Sequence, residues 1–158
     1  MSSVAVIYFS KTGNTEAMAE AVRAGMEEYE GDVEVELASV AEFDPADLTE
    51  YEGIILGSPT YYGIVAAPMK EFLDESISVH GDLSGKYGAA FASCGIEGGG
   101  SETTCLTLVK AMMVHGMTVK GFHDIGHYGP VSVGEPGADK KEECRQVGRE
   151  IATIVAED

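Results

Sequence analysis

The chain has 158 residues, of which 44% are hydrophobic and 23% charged, values typical of one globular domain and not of a disordered or fibrous chain. It carries 10 basic and 27 acidic side chains, which gives a net charge of −17. A surface this acidic repels nucleic-acid phosphates and anionic lipid, and no apolar run is long enough to span a bilayer, so we expect neither a nucleic-acid partner nor membrane insertion.

Hydrophobic patterning predicts strands that alternate with helices along the chain. A continuous apolar run at Val4–Phe9 is typical of a central strand covered on both faces, whereas strict alternation over residues 33–38 is typical of an edge strand. Further strands are predicted over residues 53–58, 87–93 and 117–122. Helices are predicted over residues 17–29, 66–78, 101–115 and 139–156.

This order of elements predicts an α/β fold, a doubly wound parallel sheet of five strands with helices on both faces, in a single domain over residues 1–158. In such sheets ligands bind beyond the carboxyl ends of the strands, where the direction of winding reverses. The loops after the first, third and fourth strands are therefore expected to form the functional edge.

Two general expectations concern compartment and cysteine chemistry. The N-terminus lacks the pattern of a signal peptide, which predicts a cytoplasmic location. The cysteines Cys94, Cys105 and Cys144 are scattered without a C-x-x-C pair or a metal-ligand spacing. We therefore expect buried or free thiols, with no disulfide and no metal site.

The segment Ser10–Thr15 lies between the first strand and the first helix and carries three hydroxyl side chains. Unpaired N–H groups at a helix N-terminus favour an anion there. The segment has neither the Walker spacing nor G-x-G-x-x-G, so a terminal monophosphate is expected rather than a dinucleotide pyrophosphate. A polar turn in which one hydroxyl caps the helix is the simpler alternative.

The motif S-x-T-G-N-T directly after the first strand resembles the FMN phosphate loop of the flavodoxin-like flavoproteins. The resemblance implies FMN as the cofactor and a flavodoxin-like sheet with strand order 2-1-3-4-5. It implies that the FMN phosphate is held by the backbone N–H of Lys11 and by Ser10, Thr12, Gly13, Asn14 and Thr15.

A pair of tyrosines follows the third strand, in the segment Gly57–Gly63. Two adjacent tyrosines between a proline and a glycine are poor candidates for the core, and flat rings at the mouth of a cleft suit stacking on the flavin ring. Gly63 can adopt a positive φ, so its peptide could present either a C=O or an N–H group. Packing of the two rings on the protein surface is the alternative. The resemblance to FMN flavoproteins implies that the ring is lined by Pro59, Thr60, Tyr61, Tyr62 and Gly63.

The segment after the fourth strand, Ser93–Thr104, contains three consecutive glycines. Glycines let the backbone approach a flat ligand edge, where amides can bond the carbonyls of the flavin's pyrimidine ring. The stretch Ser101–Thr104 also suits a helix cap. The residues predicted to contact the cofactor are Ser93, Cys94, Gly95, Gly98, Gly99 and Gly100.

The patterns P-T-Y-x-G and S-x-G-x-x-G-G-G-x-E-x-T resemble those of the WrbA-like quinone reductases. In that family a histidine placed like His115 reaches the active site, which makes His115 a candidate catalytic residue. A histidine favoured by the dipole at a helix C-terminus is the alternative. The chain departs from that family because it lacks an insertion after the second strand and has no Trp.

Two functions fit these motifs. The first is an FMN-binding carrier of low potential that passes electrons between redox proteins, and the second is an FMN-dependent NAD(P)H:quinone oxidoreductase. The motifs favour the second, whereas the missing insertion, the missing Trp and the acidic surface favour the carrier, which we expect. A flavin-free regulatory module on the same fold is a third reading. The chain is expected to act as a monomer or a homodimer.

An acidic run separates Arg23 from Lys70, with eleven Asp and Glu residues and no basic residue between them. A solvated face, a surface that docks a basic redox partner and adaptation to high salt are the three alternatives. Because the three predicted loops hold few cations, we expect a low flavin potential.

Overall fold

The computed structural model describes all 158 residues and shows alternating strands and helices. The strands are β1 (Ser2–Tyr8), β2 (Val33–Ser39), β3 (Gly53–Tyr61), β4 (Ile64–Val65), β5 (Tyr87–Cys94), β6 (Thr118–Val119) and β7 (Val131–Val133). The helices are α1 (Asn14–Glu27), α2 (Ala67–Glu75), α3 (Ser101–Val114) and α4 (Ala138–Glu157). Short 3₁₀ turns at Pro45–Glu50 and Ser76–Val79 follow β2 and α2. None of these helices has the length and apolar composition that a bilayer crossing requires.

The sheet has the strand order β2-β1-β3-β5-β6, and all of these neighbours are parallel. The predicted order 2-1-3-4-5 is confirmed, since the fourth and fifth predicted strands correspond to β5 and β6. The strand β1 pairs with both β2 and β3, so it is central, and β2 lies at an edge as predicted. Two short strands complete the sheet: β4 pairs antiparallel with β3, and β7 pairs parallel with the end of β5.

The predicted fifth strand over residues 117–122 is wrong in its extent. Only Thr118–Val119 pairs with the start of β5. Residues 120–130 then leave the sheet, and Val131–Val133 returns to pair with the last residues of β5. The fifth position of the sheet is therefore one interrupted strand.

The interruption is held together by contacts of its own. Phe122 is buried, although it lies in the loop and not in a strand, which explains why its segment has an apolar pattern. Its carbonyl oxygen lies 2.8 Å from His127 Nδ1. Gly129 adopts φ 127° against β5, where a Cβ would lie 1.8 Å from the carbonyl oxygen of Ala90. Only glycine allows the chain to return to the sheet at this point.

The sheet separates two hydrophobic cores. In β1, Ala5 and Ile7 belong to the core beneath α2 and α3, whereas Val4 and Val6 belong to the core beneath α1 and α4. All four residues are inaccessible to solvent, so the strand reads as a continuous apolar run. Burial of each larger aliphatic side chain contributes about 1.5–3 kcal/mol, which fixes the strand that leads into the first loop.

The helices α1 and α4 cross at two glycines. A Cβ on Gly25 would lie 2.0 Å from the carbonyl oxygen of Arg145, and a Cβ on Gly148 would lie 2.1 Å from the carbonyl oxygen of Val22. The two backbones therefore approach more closely than any other residue would allow. This crossing fixes α1, and with it the position of the α1 N-terminus.

The strands β1, β3 and β5 are parallel neighbours, so their carboxyl ends lie at one edge of the sheet. The loops that follow these three strands are those that the sequence predicts to be functional. The fold therefore places the three predicted segments at a common edge, as expected for a doubly wound sheet.

Candidate functional site

The loop between β1 and α1 ends at Gly13, which precedes the helix with φ 98° and provides no side-chain cap. Ser10 Oγ accepts a hydrogen bond from the Gly13 N–H at 3.2 Å and does not reach the helix. The alternative in which a hydroxyl of this loop merely caps α1 is therefore wrong.

Several backbone amides around this loop have no acceptor within the protein, because the first turn of a helix leaves its N–H groups unpaired. A Cβ built on Gly13 meets no atom within 4 Å, so the space beside the helix start is open. Amides, hydroxyls and the positive end of the helix dipole border this space, and together they form a donor set suited to a phosphate group. The amides without acceptors belong to Lys11, Thr12, Asn14, Thr15 and Glu16.

Thr15 and Ser93 form a hydroxyl pair that joins the first loop to the end of β5. Both side chains are buried, and their oxygens lie 2.8 Å apart. Each hydroxyl has one proton, so whichever of the two donates to the other leaves the acceptor's proton free for a further partner. The pair can therefore fix the loop and still offer one donor to a ligand.

The tyrosine segment forms a hairpin and is less of a loop than predicted, because Pro59–Tyr61 are the last residues of β3. Tyr61 pairs with Ile64 of β4, and only Tyr62–Gly63 lie between them. Their φ angles are 53° and 79°. Two positive φ values in a two-residue hairpin are typical of a type I′ turn.

Tyr62 is the one residue other than glycine with a positive φ in the chain. Such a conformation costs about 1–3 kcal/mol and is concentrated at functional sites. The Tyr62 ring is fully exposed, so surface packing does not account for it, whereas Tyr61 is 41% exposed and packs in part against the protein. The turn therefore presents two aromatic rings at the edge where the loops meet.

The loop after β5 keeps its backbone accessible. A Cβ on Gly95 or Gly98 would meet no atom within 4 Å, and Gly98 adopts φ 73°. Cys94 is buried, and its thiol donates to the carbonyl oxygen of Ile96 at 3.1 Å. The amide of Gly99 donates to the same carbonyl at 3.1 Å, which shapes the loop into a turn.

Hydroxyl groups also join this loop to the hairpin. Thr103 Oγ1 donates to the carbonyl oxygen of Gly63 at 2.6 Å, and Thr104 Oγ1 donates to Thr60 Oγ1 at 2.9 Å. Gly100 lies so close that a Cβ there would be 2.8 Å from the Cα of Gly63. Together with the hydroxyl pair described above, these contacts connect all three predicted segments into one site.

Sequence reasoning gave Thr103 and Thr104 only the role of a possible helix cap. Neither caps α3, which begins behind Gly100 without a side-chain cap. Their position in the first turn after a glycine run was a signal that they lie near the loops. Their partners, Gly63 in the turn and Thr60 on β3, are about 40 residues earlier in the chain, and no local pattern identifies them.

The structure separates His115 from this site. It follows α3, whose 14 residues extend about 21 Å at 1.5 Å per residue, so it lies at the end of the helix remote from the three loops. His115 therefore does not contact the three loops, and a catalytic role for it stays a prediction. Its Nε2 lies 2.8 Å from Ser76 Oγ, which itself donates to the Leu73 carbonyl oxygen at 2.6 Å.

These contacts define the state of the His115 ring. Because the Ser76 proton is already donated, His115 Nε2 carries a proton and donates to Ser76. Burial lowers the pKa of His115, and the nearby His80 ring, 5.7 Å away between centroids, lowers it further. The dipole at a helix C-terminus favours a charged histidine, whereas the lowered pKa favours a neutral His115 ring. The hydrogen bond to Ser76, and not the dipole of α3, therefore accounts for its position.

Acidic side chains surround the start of α1. Burial raises the pKa of Tyr8 to about 12, with further contributions from the hydrogen bond to Glu16 and from the charges of Glu16, Glu42 and Glu20. The Tyr8 hydroxyl donates to Glu16 Oε1 at 3.2 Å. The donors that face an anion are therefore amides and hydroxyls within a negative field.

The family model for flavodoxins matches residues 6–105, a range that includes all three segments of the site. A flavodoxin of Aquifex aeolicus is 41% identical over 99% of this chain and 88% of its own length. The chain belongs to the flavodoxin family.

Other relatives of this flavodoxin-family chain carry two kinds of name. A solved flavodoxin from the domain Archaea is 33% identical, with a TM-score of 0.80 over 97% of this chain and 98% of that one. A flavodoxin, WrbA-like protein from Agrobacterium tumefaciens is 25% identical, with a TM-score of 0.84 over 99% of both chains. An NAD(P)H dehydrogenase (quinone) of Archaeoglobus fulgidus is 30% identical over 98% of this chain and 97% of its own length.

The flavodoxin family binds FMN, and the residues of this member fit that cofactor. The unpaired amides and the open space beside Gly13 suit the phosphate, which needs several donors at one point. The exposed tyrosines and the accessible glycine loop offer flat and backbone surfaces to a ring system. FMN is therefore the cofactor of this chain.

Proposed function

We propose that this member of the flavodoxin family is an electron carrier that passes electrons between redox proteins at a low potential. The observation that carries the proposal is the exposure of the hairpin turn, where Tyr62 is fully exposed and Tyr61 is 41% exposed. A cofactor ring held at such a turn stays accessible to a partner as large as a protein. The 41% identity to a flavodoxin supports the same function.

Each segment of the site has its own task in this proposal. FMN supplies the electron-transfer chemistry when bound, and the protein binds, orients and shields it. The segment Ser10–Thr15 would hold the phosphate through its amides and hydroxyls, with one proton of the Thr15–Ser93 pair added. The segments Pro59–Gly63 and Ser93–Gly100 would hold the ring and keep water from its faces.

The proposed low potential follows from the charges around the site. Lys11 is the only basic residue in the three segments, while Glu16, Glu97 and Glu102 lie in or directly beside them. Negative charge disfavours the addition of further negative charge to a bound ring, by the same physics that raises the pKa of a carboxylate beside another. Reduction of the cofactor is therefore expected to be more difficult than in water.

The proposed partners are redox proteins with a basic surface. A groove of about 990 Å³ runs beside the hairpin and is lined by Glu71, Asp74 and Glu75, together with Lys70, which is paired with Asp74 at 2.6 Å. With a net charge of −17, the chain would attract basic partners and speed their encounter. We take residues 1–158 to act as one domain, as a monomer or a homodimer.

A second candidate function is that of an NAD(P)H:quinone oxidoreductase. It is supported by the relative from Archaeoglobus fulgidus, which is named an NAD(P)H dehydrogenase (quinone) and is matched over 97% of its length. The groove beside the exposed tyrosines could admit a small aromatic substrate. The two candidates differ in whether the protein turns over NAD(P)H by itself.

One experiment distinguishes the candidates. FMN-loaded protein is mixed with NADH or NADPH and benzoquinone, and its two midpoint potentials are measured by redox titration. A carrier shows negligible NAD(P)H oxidation and a second reduction step below that of free FMN. Rapid oxidation would support the reductase, and a second step well above the free-flavin value would contradict the proposed low potential.

A further inference from the structure

Thr103 occupies an unusual position between two carbonyl groups. Its Oγ1 lies 2.6 Å from the carbonyl oxygen of Gly63 and 2.7 Å from that of Gly100. A hydroxyl has one proton to donate, so the two carbonyls share it. One of these carbonyls belongs to the helix start and the other to the hairpin turn. The side chain thus couples α3 to the turn.

The turn needs such a contact because its conformation is strained. Tyr62 has φ 53°, and its ring is fully exposed and contributes no packing that would hold the turn. Thr103 is the only residue whose hydrogen bond reaches the Gly63 carbonyl from another element. The close contact of Gly100 with Gly63 limits movement on one side only. The orientation of the Gly63 peptide therefore depends on the Thr103 hydroxyl.

We propose that Thr103 is a positioning residue, whose hydroxyl holds the Tyr62–Gly63 turn in one orientation toward the flavin ring. This inference rests on the proposed function, in which the turn lines the ring. A peptide group that is fixed beside the flavin ring acts on each charge state of the ring with the same dipole. A peptide group that samples several orientations acts only with the average of its dipole over them. Loss of the hydroxyl should therefore affect the order of the turn, the FMN affinity and the potentials.

The test uses three variants of the full chain. Thr103→Val keeps the shape of the side chain and removes the hydroxyl, and Thr103→Ser keeps the hydroxyl. Thr107→Val is the matched control, because Thr107 lies one turn further along α3 and its hydroxyl donates only to the Thr103 carbonyl oxygen, at 2.9 Å. Amide hydrogen exchange over residues 61–65 is measured without cofactor. FMN affinity and the two one-electron potentials are measured with it.

Thr103→Val is expected to speed exchange in the turn by about tenfold and to weaken FMN binding by about three- to tenfold, in line with the loss of one hydrogen bond. The difference between the two one-electron potentials is expected to narrow by up to about 59 mV, which corresponds to a tenfold change in a one-electron equilibrium constant. Thr103→Ser and Thr107→Val should match the unmodified chain in all three measurements.

Two results would overturn the proposal. The first is that Thr103→Val has the same amide exchange and the same potentials as the unmodified chain. The second is that Thr107→Val changes these quantities as much as Thr103→Val does, which would indicate a general effect on α3. An unmodified chain that fails to bind FMN would overturn the proposed function instead. Exchange in the cofactor-free chain would then still decide whether Thr103 holds the turn.

Discussion

Two helices begin at the same edge of the sheet with the same backbone but perform different tasks. Both α1 and α3 start behind a glycine with φ 98°, and neither receives a side-chain cap. At α1 the hydroxyls and Lys11 surround an open space. At α3 the threonine hydroxyls bond to the neighbouring hairpin, and Gly100 contacts Gly63.

We infer from the comparison that a helix N-terminus does not by itself make an anion site. Both helix starts carry unpaired amides and a positive dipole end. The side chains in the first turn and the space in front of it decide whether the helix binds a phosphate or holds a loop in place. Three changes test this distinction, and a fourth tests the opposite end of α3.

The largest effect is expected from alanine at the two capping glycines. Both positions have φ 98°, which costs an alanine about 1–2 kcal/mol. At Gly100 the new Cβ would also lie 2.8 Å from the Gly63 Cα, whereas at Gly13 it meets nothing. Gly100→Ala should therefore lower the free energy of unfolding by about 3 kcal/mol and Gly13→Ala by about half of that, as measured by urea unfolding of the cofactor-free chain. Equal losses would contradict the difference between the two helix starts.

Removal of hydroxyls at the α1 start should weaken FMN binding, and Thr15→Val should also lower the free energy of unfolding by about 1–3 kcal/mol because it leaves the buried Ser93 hydroxyl without its partner. In the double variant Thr12→Val and Thr15→Val, each lost hydroxyl is expected to weaken FMN binding by at least about tenfold, since bonds to a charged group contribute about 1.5–3 kcal/mol. Calorimetric titration with FMN measures the effect. Thr153→Val is the control, because that hydroxyl donates within α4, to the Arg149 carbonyl oxygen. Unchanged affinity in the double variant would place the phosphate elsewhere.

A smaller effect is expected from the acidic residue in each first turn, Glu16 in α1 and Glu102 in α3. Glu16→Gln removes a charge that repels the phosphate and should tighten FMN binding by about threefold at low salt, with the gain lost at high salt. It should also lower the pKa of Tyr8 from about 12, although burial, the larger cause, remains. Glu102→Gln should leave the pKa of Tyr8 unchanged and should change the FMN affinity less than Glu16→Gln does. Absorbance titration of tyrosine and FMN titration at two salt concentrations provide the check.

The smallest effect concerns the other end of α3. The pKa of His115 is lowered in the folded chain, by burial and by His80, so the unfolded chain binds the proton more readily. The stability that His115 contributes is therefore complete above its unfolded pKa of about 6.5 and is lost as the pH falls toward the lowered folded value. Between pH 7.5 and pH 5, His115→Gln should lose less stability than the unmodified chain in urea unfolding. Equal losses of stability in the two chains would show that His115 does not cause the pH dependence.

The sequence was sufficient to predict the central strands and the first loop because both depend on local patterns, whereas the strand order was implied by the resemblance to the flavodoxin-like proteins. The apolar run of β1 reflects burial on both faces, and the hydroxyls of Ser10–Thr15 follow it directly. The helix that follows β1 lies within a few residues of its predicted limits. Patterns of this kind need no knowledge of distant contacts.

The features that the sequence did not predict correctly depend on tertiary contacts. Phe122 is buried in a loop, so its apolar character was read as strand, and Pro59 was read as the start of a loop although it lies within β3. His115 resembles a catalytic residue in sequence, but the length of α3 carries it away from the site. The role of Thr103 depends on Gly63, which lies about 40 residues away.

The glycine crossing of α1 and α4 has a consequence for the order of events during synthesis. More than a hundred residues separate the two helices along the chain. Until α4 leaves the ribosome, the apolar face of α1 around Val22 and Met26 lacks the helix that covers it. The residues proposed to hold the FMN phosphate are translated early, yet the position of α1 beside them is fixed only when α4 has been translated. A nascent chain halted before α4 should therefore remain colourless, and flavin uptake belongs to a late stage of maturation.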